Sequence, residues 1–336
     1  MSSHSQSSRR REVACQARLL ADIGATNARF AWQAASGASI GEVRVLPCAK
    51  YVSLAEAMDA YLGLLGRSAP PVCAIAIATP IVGDTVEMTN HAWTFSIAGL
   101  RSQFGFERMK VLNDFTALAL ALPSLRADEL RQVGGGHAVA ACAMALIGAG
   151  TGLGVSGLLP DGRGDWVPLA GEGGHVTLAG CTDLERAVLR RIDDRYGHAS
   201  AERVVSGPGL IDIHRAVQAL EAPDAPTIEL DAAAVTAGAL GANDPTCNTV
   251  LDLFCGYLGT VAGNLALTLG ARGGVYVGGG IVPRLGERFS RSPFRTRFES
   301  KGRFRPYLAE IPVFVIDAAH SPALLGAARA LDRTDA

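Results

Sequence analysis

Lysine is almost missing from this chain: it occurs only at Lys50, Lys110 and Lys301, so nearly all positive charge is carried by arginine. No lysine stands in a Gly-x-x-x-x-Gly-Lys-Ser/Thr loop, which excludes a P-loop nucleotidase on its defining residue. An excess of charge is missing too. The 31 Lys and Arg face 32 Asp and Glu, and the basic residues are scattered rather than striped, so no nucleic-acid partner is expected. The seven cysteines form no Cys-x-x-Cys pair and are odd in number, which speaks against a zinc ribbon or a disulfide framework and for reduced core thiols in a cytoplasmic protein. No apolar run approaches the ~20 residues of a bilayer span, so no membrane partner is expected. Residues 1–17 are rich in Ser and Arg and aperiodic, and read as a disordered leader; an export signal would need an apolar segment and a small-residue cleavage site after the arginines.

What is present is an alternation of strand and helix signals. At 336 residues the chain exceeds what one core usually supports, so two domains are expected. ARLLADIG and ARFAWQAA read as two strands joined at a glycine turn, LAEAMDAYLGLL as a helix, VCAIAIATPI as a buried strand, and MKVLND as a strand leading into the helical FTALALALPSL. Strands feeding helices in this way indicate an α/β layer with a mostly parallel sheet. Past Pro123 a second unit begins with strand, glycine loop and strand at ACAMALIGAGTGLGVSGLLP, and includes a long apolar helix near Val250 to Gly270. The expected boundaries are a smaller α/β domain over 18–124 plus about 315–336 and a larger one over 125–314. A strand running into DIGATN and another running into IGAGTGLG form a weak internal repeat, which suggests two related domains facing a cleft.

Several polar clusters have both a structural and a chemical reading. In DIGATN, Gly24 offers positive φ and a turn whose N–H groups converge on an anion. Asp22 would repel a phosphate unless a divalent cation lay between them, directly or through water. The second glycine loop, Gly148 to Gly154, leaves amides unshielded for a polyphosphate. A dinucleotide fingerprint at Gly152, Gly154 and Gly157 runs into an apparent hairpin instead of the required helix. At VLND the strand ends and a helix begins, making Asp114 the natural N-cap; equally, Asp114 could take a proton from a hydroxyl, and Asn113 could donate and accept toward a polyol. Glu172 and His175, separated by Gly173 and Gly174, lie in a loop too flexible for a helix. Glu202 is either helix-surface charge or one more polyol ligand. The SGPGL turn and the VGGGIVPR turn, which contains Gly279, are either ordinary turns or bare walls for a base pocket.

Taken in order, ADIGATNARFA, MTNHAW, VLNDFTALALALP, GAGTGLGV, GEGGHV, SAERVVSGPGL, GNLALTLG, GGGIVPR and KGRF closely resemble the bacterial ATP-dependent glucokinase family, from about Leu19 to Leu331. The resemblance implies an actin-like, ribonuclease H-like ATPase fold, with a substrate cleft between a smaller and a larger domain, and a cytoplasmic homodimer. It implies D-glucose and ATP as substrates, with Mg2+ assisting at Asp22. By position, Asp114 resembles the catalytic base acting on the sugar 6-hydroxyl, and Asn113, Glu172, His175 and Glu202 resemble the glucose ligands. Ala21, Asp22, Ile23, Gly24, Ala25 and Thr26 resemble the first ATP phosphate loop, Gly150, Thr151 and Gly152 the second, with Gly279 beside the nucleotide. Ala25 stands where many relatives carry glycine. Many enzymes of the related repressor-and-kinase group, which act on fructose or an N-acetyl hexosamine, carry a cysteine-rich zinc motif after the equivalent of His175, whereas here Cys181 stands alone, which argues against that reading. A sugar sensor would not need Asp114, and an actin-like filament protein or chaperone ATPase would not need the polyol set.

Overall fold

The computed structural model describes residues 16–333 apart from 90, 227, 243, 319 and 320, so the leader up to Cys15 lies outside the described residues. The chain divides into two units, Met1–Leu125 with Ala319–Ala336, and Arg126–Ala318.

The first unit is organised by β1 (Arg18–Ile23) and β4 (Val72–Ile77), whose residues are all buried, as strands covered on both faces must be. With β2 (Asn27–Gln33), β3 (Ile40–Pro47) and β7 (Arg108–Asn113) they form a sheet in the order β3-β2-β1-β4-β7. β1, β4 and β7 are parallel, while β2 and β3 are added antiparallel. A two-stranded ribbon, β5 (Thr85–Glu87) with β6 (Thr94–Ser96), stands beside it in the sequence. Side-chain alternation along β1 splits the core. Leu19, Ala21 and Ile23 pack with Leu54, Ala57, Met58 and Tyr61 of the Leu54–Leu65 helix. Leu20 packs on the other face with Leu324, Ala327 and Leu331 of the Pro322–Asp332 helix.

That last helix is fastened at its carboxyl end by cations, the sign its dipole favours there. The buried Arg18 bonds Asp332 at 2.7 Å, Arg108 donates to Leu331 O at 2.7 Å, and Lys110 donates to Arg333 O at 3.1 Å. Midway, Gly326 lies so close to the Asp114–Ala121 helix that a Cβ would fall on the backbone carbonyl of Ala117. Backbone does not yield as a flexible side chain does, so Gly326→Ala is expected to destabilise the protein by about 1–3 kcal/mol. Chemical denaturation of the variant checks this, and an unchanged midpoint would contradict it.

The second unit repeats the plan. β9 (Met144–Ala149), β10 (Leu153–Pro160) and β11 (Trp166–Leu169) form an antiparallel meander, and β12 (Val275–Gly278) and β13 (Val313–Ile316) run parallel to β9. With β8 (Leu130–Val133) at the far edge the order is β11-β10-β9-β12-β13-β8. In both units a parallel trio is extended by an antiparallel pair, so the sheets are mixed rather than mostly parallel. The reason is local: each glycine loop turns its strand straight back as a hairpin, with no crossover helix.

The core of this unit holds the Pro245–Leu269 helix, which is 25 residues long and, by length and composition, long and apolar enough to cross a bilayer. This corrects the expectation that no such run exists. Asp252 and Asn264 lie within the run, yet its most apolar 18-residue window still has a mean hydropathy of 1.4. Of its most apolar window, 78% is buried in the protein, so packing accounts for the composition. Among the described cysteines, Cys48, Cys73, Cys247 and Cys255 are buried as expected for core thiols, but Cys181 is exposed.

Candidate active site

The site in the first unit forms where parallel strands end together. Ile23 of β1 pairs with Ile77 of β4, which pairs with Asn113 of β7. The residues that follow therefore emerge along one edge, where open α/β sheets present ligands. After β1, Gly24 to Thr26 reverse the chain: Gly24 N–H donates to Asn27 O at 3.0 Å, and Cys48 N–H donates to Thr26 O at 2.9 Å. Gly24 is not in the left-handed region that the sequence suggested, and a Cβ there would meet only Asn27 O at 3.5 Å. The turn itself therefore does not demand glycine; what glycine leaves is bare surface. The amides of Ala25 and Thr26 make no hydrogen bond among the described residues. The side chains of Ala21 and Ile23 are fully buried in the core, so only their backbone is available to a ligand.

Asp22 is 8% exposed. Its Oδ2 accepts from Ser321 Oγ at 2.6 Å and from Arg29 Nη1 at 3.3 Å, Arg29 being its cross-strand partner on β2. At the end of β7 the cap belongs to Asn113, not to Asp114 as the sequence suggested. Asn113 Oδ1 accepts from the N–H groups of Phe115 at 2.9 Å and Thr116 at 3.2 Å, and its Nδ2 donates to Thr79 O at 3.4 Å. Both residue types cap well and they are adjacent, so sequence alone does not choose between them. The consequence is chemical: the Asn113 oxygen is committed to the cap, leaving its amide as a donor only, while Asp114 is released from capping. Asp114 opens the helix, with Oδ1 accepting from Phe115 N–H at 2.8 Å. Burial, and then the negative charge of Asp22, push its carboxyl up to about 6, against the lowering effect of the Phe115 amide and the Asn113 side chain.

In the second unit the loop Gly150 to Gly152 joins β9 to β10. Gly150 N–H donates to Gly152 O and Gly207 N–H donates to Gly150 O, both at 2.8 Å, while the amides of Thr151 and Gly152 make no hydrogen bond among the described residues. Gly154 and Gly157 lie inside β10 and no helix follows the loop, which removes the dinucleotide reading. Gly279, at φ 82°, follows β12 so closely beside β9 that a Cβ would fall on the backbone of Ala149.

Glu202 is tied to the same loop. Its Oε2 accepts from Leu153 N–H at 2.9 Å, and a Cβ on Gly152 would stand 2.5 Å from that oxygen. His175 Nδ1 lies 4.0 Å from Glu202 Oε1. What the sequence presented as a flexible loop at Glu172 to His175 is a packed 3-10 turn over Gly173–His175. Gly174 is buried, a Cβ on it would fall on Leu153 O, and a Cβ on Gly173 would stand 2.8 Å from Val155. Both glycines are there for want of room. Leu178 N–H donates to Ala199 O at 3.0 Å and Ala201 N–H to Val176 O at 2.9 Å, which brings His175 to Glu202. Glu172 and His175 remain exposed.

Each unit thus gathers its own share of the expected residues: Ala21 to Thr26 with Asn113 and Asp114 in the first, Gly150 to Gly152, Gly279, Glu172, His175 and Glu202 in the second. Sequence reasoning missed Ser321, Arg29 and Thr79. Strand pairing after a three-residue turn points to Arg29, but nothing local joins Ser321 to Asp22.

The comparisons agree on one family. A family model described as Glucokinase matches residues 19–334. A glucokinase of Aromatoleum aromaticum is 55% identical over 316 residues, covering 94% of each chain. The crystal structure of a glucokinase from an Antarctic psychrotroph superposes with a TM-score of 0.84 at 35% identity, covering 94% of this chain and 98% of that one. A glucokinase from Balamuthia mandrillaris, solved in complex with glucose, gives 0.74 at 22% identity, over 97% and 98% of the two chains, and speaks to the fold alone.

Proposed function

The chain belongs to the glucokinase family, and from that premise we propose that it transfers the γ-phosphoryl group of ATP to the 6-hydroxyl of D-glucose with Asp114 as general base. The products are glucose 6-phosphate and ADP: the O6–H bond breaks, an O6–P bond forms, the bond to the ADP oxygen breaks, and Asp114 holds the proton before solvent takes it. The observation that carries the assignment is the state of Asp114, a carboxylate at the end of a parallel strand, freed from capping by Asn113 and raised to about 6. Such a group is ionised at neutral pH, yet a far better proton acceptor than an ordinary aspartate.

The other residues take roles their free groups allow. Asn113 Nδ2 donates to a sugar hydroxyl. Glu172 and Glu202 accept from hydroxyl groups, and His175 donates or accepts beside Glu202. The free amides of Ala25, Thr26, Thr151 and Gly152 bind phosphate oxygens, with Gly279 holding the exit of β12 clear. Ala25 costs a methyl group but no amide.

A divalent cation fits this donor set. Ser321 and Arg29 both bond Asp22 Oδ2, which leaves Oδ1 without a hydrogen bond among the described residues and open to an ion whose other ligands are nucleotide phosphates and water. Asp22 would hold it, directly or through water, and its charge would relieve the repulsion between Asp22 and Asp114. Bound Mg2+ neutralises charge developing on the transferring phosphoryl group. We place the enzyme in the cytoplasm as a homodimer, on the family resemblance.

Coupled measurement of ADP release with ATP, Mg2+ and a panel of glucose, fructose, mannose and N-acetylglucosamine tests the reading. Strong release is expected with glucose and little with the others; glucose binding without release would make the chain a sensor. Across pH, kcat/KM should be level above about 7 and fall toward tenfold per unit below about 6 as Asp114 takes up its proton. A profile flat down to pH 4.5 would remove Asp114 from that role.

A further inference from the structure

Ser321 occupies the N-cap position of the Pro322–Asp332 helix but makes no side-chain cap bond. The other serine and threonine caps of the described helices, Ser53, Ser96, Thr182, Ser200 and Ser206, each accept from a backbone amide of the first turn. At Ser321 the hydroxyl is turned away from this service and donates to Asp22 Oδ2 at 2.6 Å, from 299 positions along the chain. Arg29 approaches the same oxygen at 3.3 Å. Both donors thus converge on Oδ2, and no hydrogen bond among the described residues uses Oδ1.

We infer that Ser321 is a positioning residue for Asp22: by holding Oδ2 it fixes the carboxylate plane and keeps Oδ1 for a divalent cation that accompanies the nucleotide, directly or through water. This rests on the kinase reading above. The geometry supports it on three counts. Asp22 is buried, so its orientation is set by protein donors rather than by solvent. The Ser321 hydroxyl forgoes its ordinary local bond to supply one of those donors. The helix it begins is anchored at both its middle and its end, by the Gly326 contact on Ala117 and by Arg18 at Asp332, so the hydroxyl is delivered from a rigid element. The same helix therefore supports the backbone that carries Asp114 and orients the carboxylate of Asp22.

Ser321→Ala and Ser321→Thr separate orientation from simple packing, with Mn2+ as the probe. Binding of Mn2+ to the enzyme–ADP complex, followed by electron paramagnetic resonance, should weaken about tenfold in Ser321→Ala, the scale on which outer-shell partners of a metal ligand act. Ser321→Thr keeps the hydroxyl and should restore binding to within about twofold of wild type, because the donor is retained. The Mg2+ concentration for half-maximal rate should shift in parallel, with KM for glucose unchanged. Equal losses in both variants, or wild-type Mn2+ binding in Ser321→Ala, would overturn the positioning role while leaving the kinase reading intact. A wild-type protein that turns over no sugar and binds no Mn2+–ADP would overturn the kinase reading and this inference with it.

Discussion

Asp114→Asn is expected to lower kcat by about 10²- to 10⁴-fold, the range that a positioned general base supplies. Glucose binding, followed by calorimetry, should survive, because the replacement keeps the shape of the side chain. Asp114 is not the cap of its helix, so its loss does not remove the bonds that Asn113 makes to Phe115 and Thr116. Asp114→Ala should behave alike. Retention of more than about a tenth of wild-type kcat in either variant would exceed what loss of a base allows and would exclude Asp114 as the base.

The same substitution should raise stability at neutral pH. The carboxyl titrates near 3.8 when unfolded and about 6 when folded, so in that window the native state binds more protons than the unfolded one. Stability therefore falls as pH rises through the window and stays lower above it. Asparagine carries no such charge. Thermal melting should place Asp114→Asn above wild type at pH 8, with the advantage shrinking as pH drops toward 4. A carboxylate that weakens the fold where it serves the reaction is the expected signature of an active-site acid.

Both glycine loops are legible because each is a glycine cluster between apolar strands, and strand, turn and strand are local signals. The repeat was legible for the same reason: DIGATN and GAGTGLG occupy matching hairpins, β1 to β2 and β9 to β10. What sequence could not resolve were choices among neighbours of equal propensity, as at Asn113 and Asp114. It also misjudged glycines. Gly24 adopts no left-handed conformation, whereas Gly152 and Gly174 are fixed by the closeness of Glu202 and of the Leu153 backbone. Those constraints are tertiary and leave no mark on spacing. Ser321 lies furthest from legibility, since its partner is at the other end of the chain.

The largest expected loss of stability lies away from the site, at Arg297→Met. Glu185 is almost fully buried, and its Oε1 pairs with Arg297 in a close ion pair. Its Oε2 accepts from the amides of Cys181 at 2.6 Å and Thr182 at 3.1 Å, closing a capping box at the start of the Asp183–Tyr196 helix. Tyr257, from the core of the Pro245–Leu269 helix, donates to Glu185 O at 2.9 Å. Arg297 itself comes from the Phe294–Glu299 helix, which packs where a Cβ on Gly259 would fall on Phe294 O. Removing the cation leaves a buried carboxylate facing apolar surroundings, at a cost of about 3–5 kcal/mol. The amides on Oε2 survive and hold the cost toward the lower end. Glu185→Gln on top of Arg297→Met removes the stranded charge and keeps an acceptor for the cap, so the double variant should recover most of the loss in urea denaturation. If Arg297→Met lies within about 1 kcal/mol of wild type, the pair behaves as a screened surface bridge, and burial has not made it matter. If the single variant falls and the double does not recover, the loss belongs to the guanidinium head's own contacts and not to a stranded carboxylate, since methionine keeps the apolar stem.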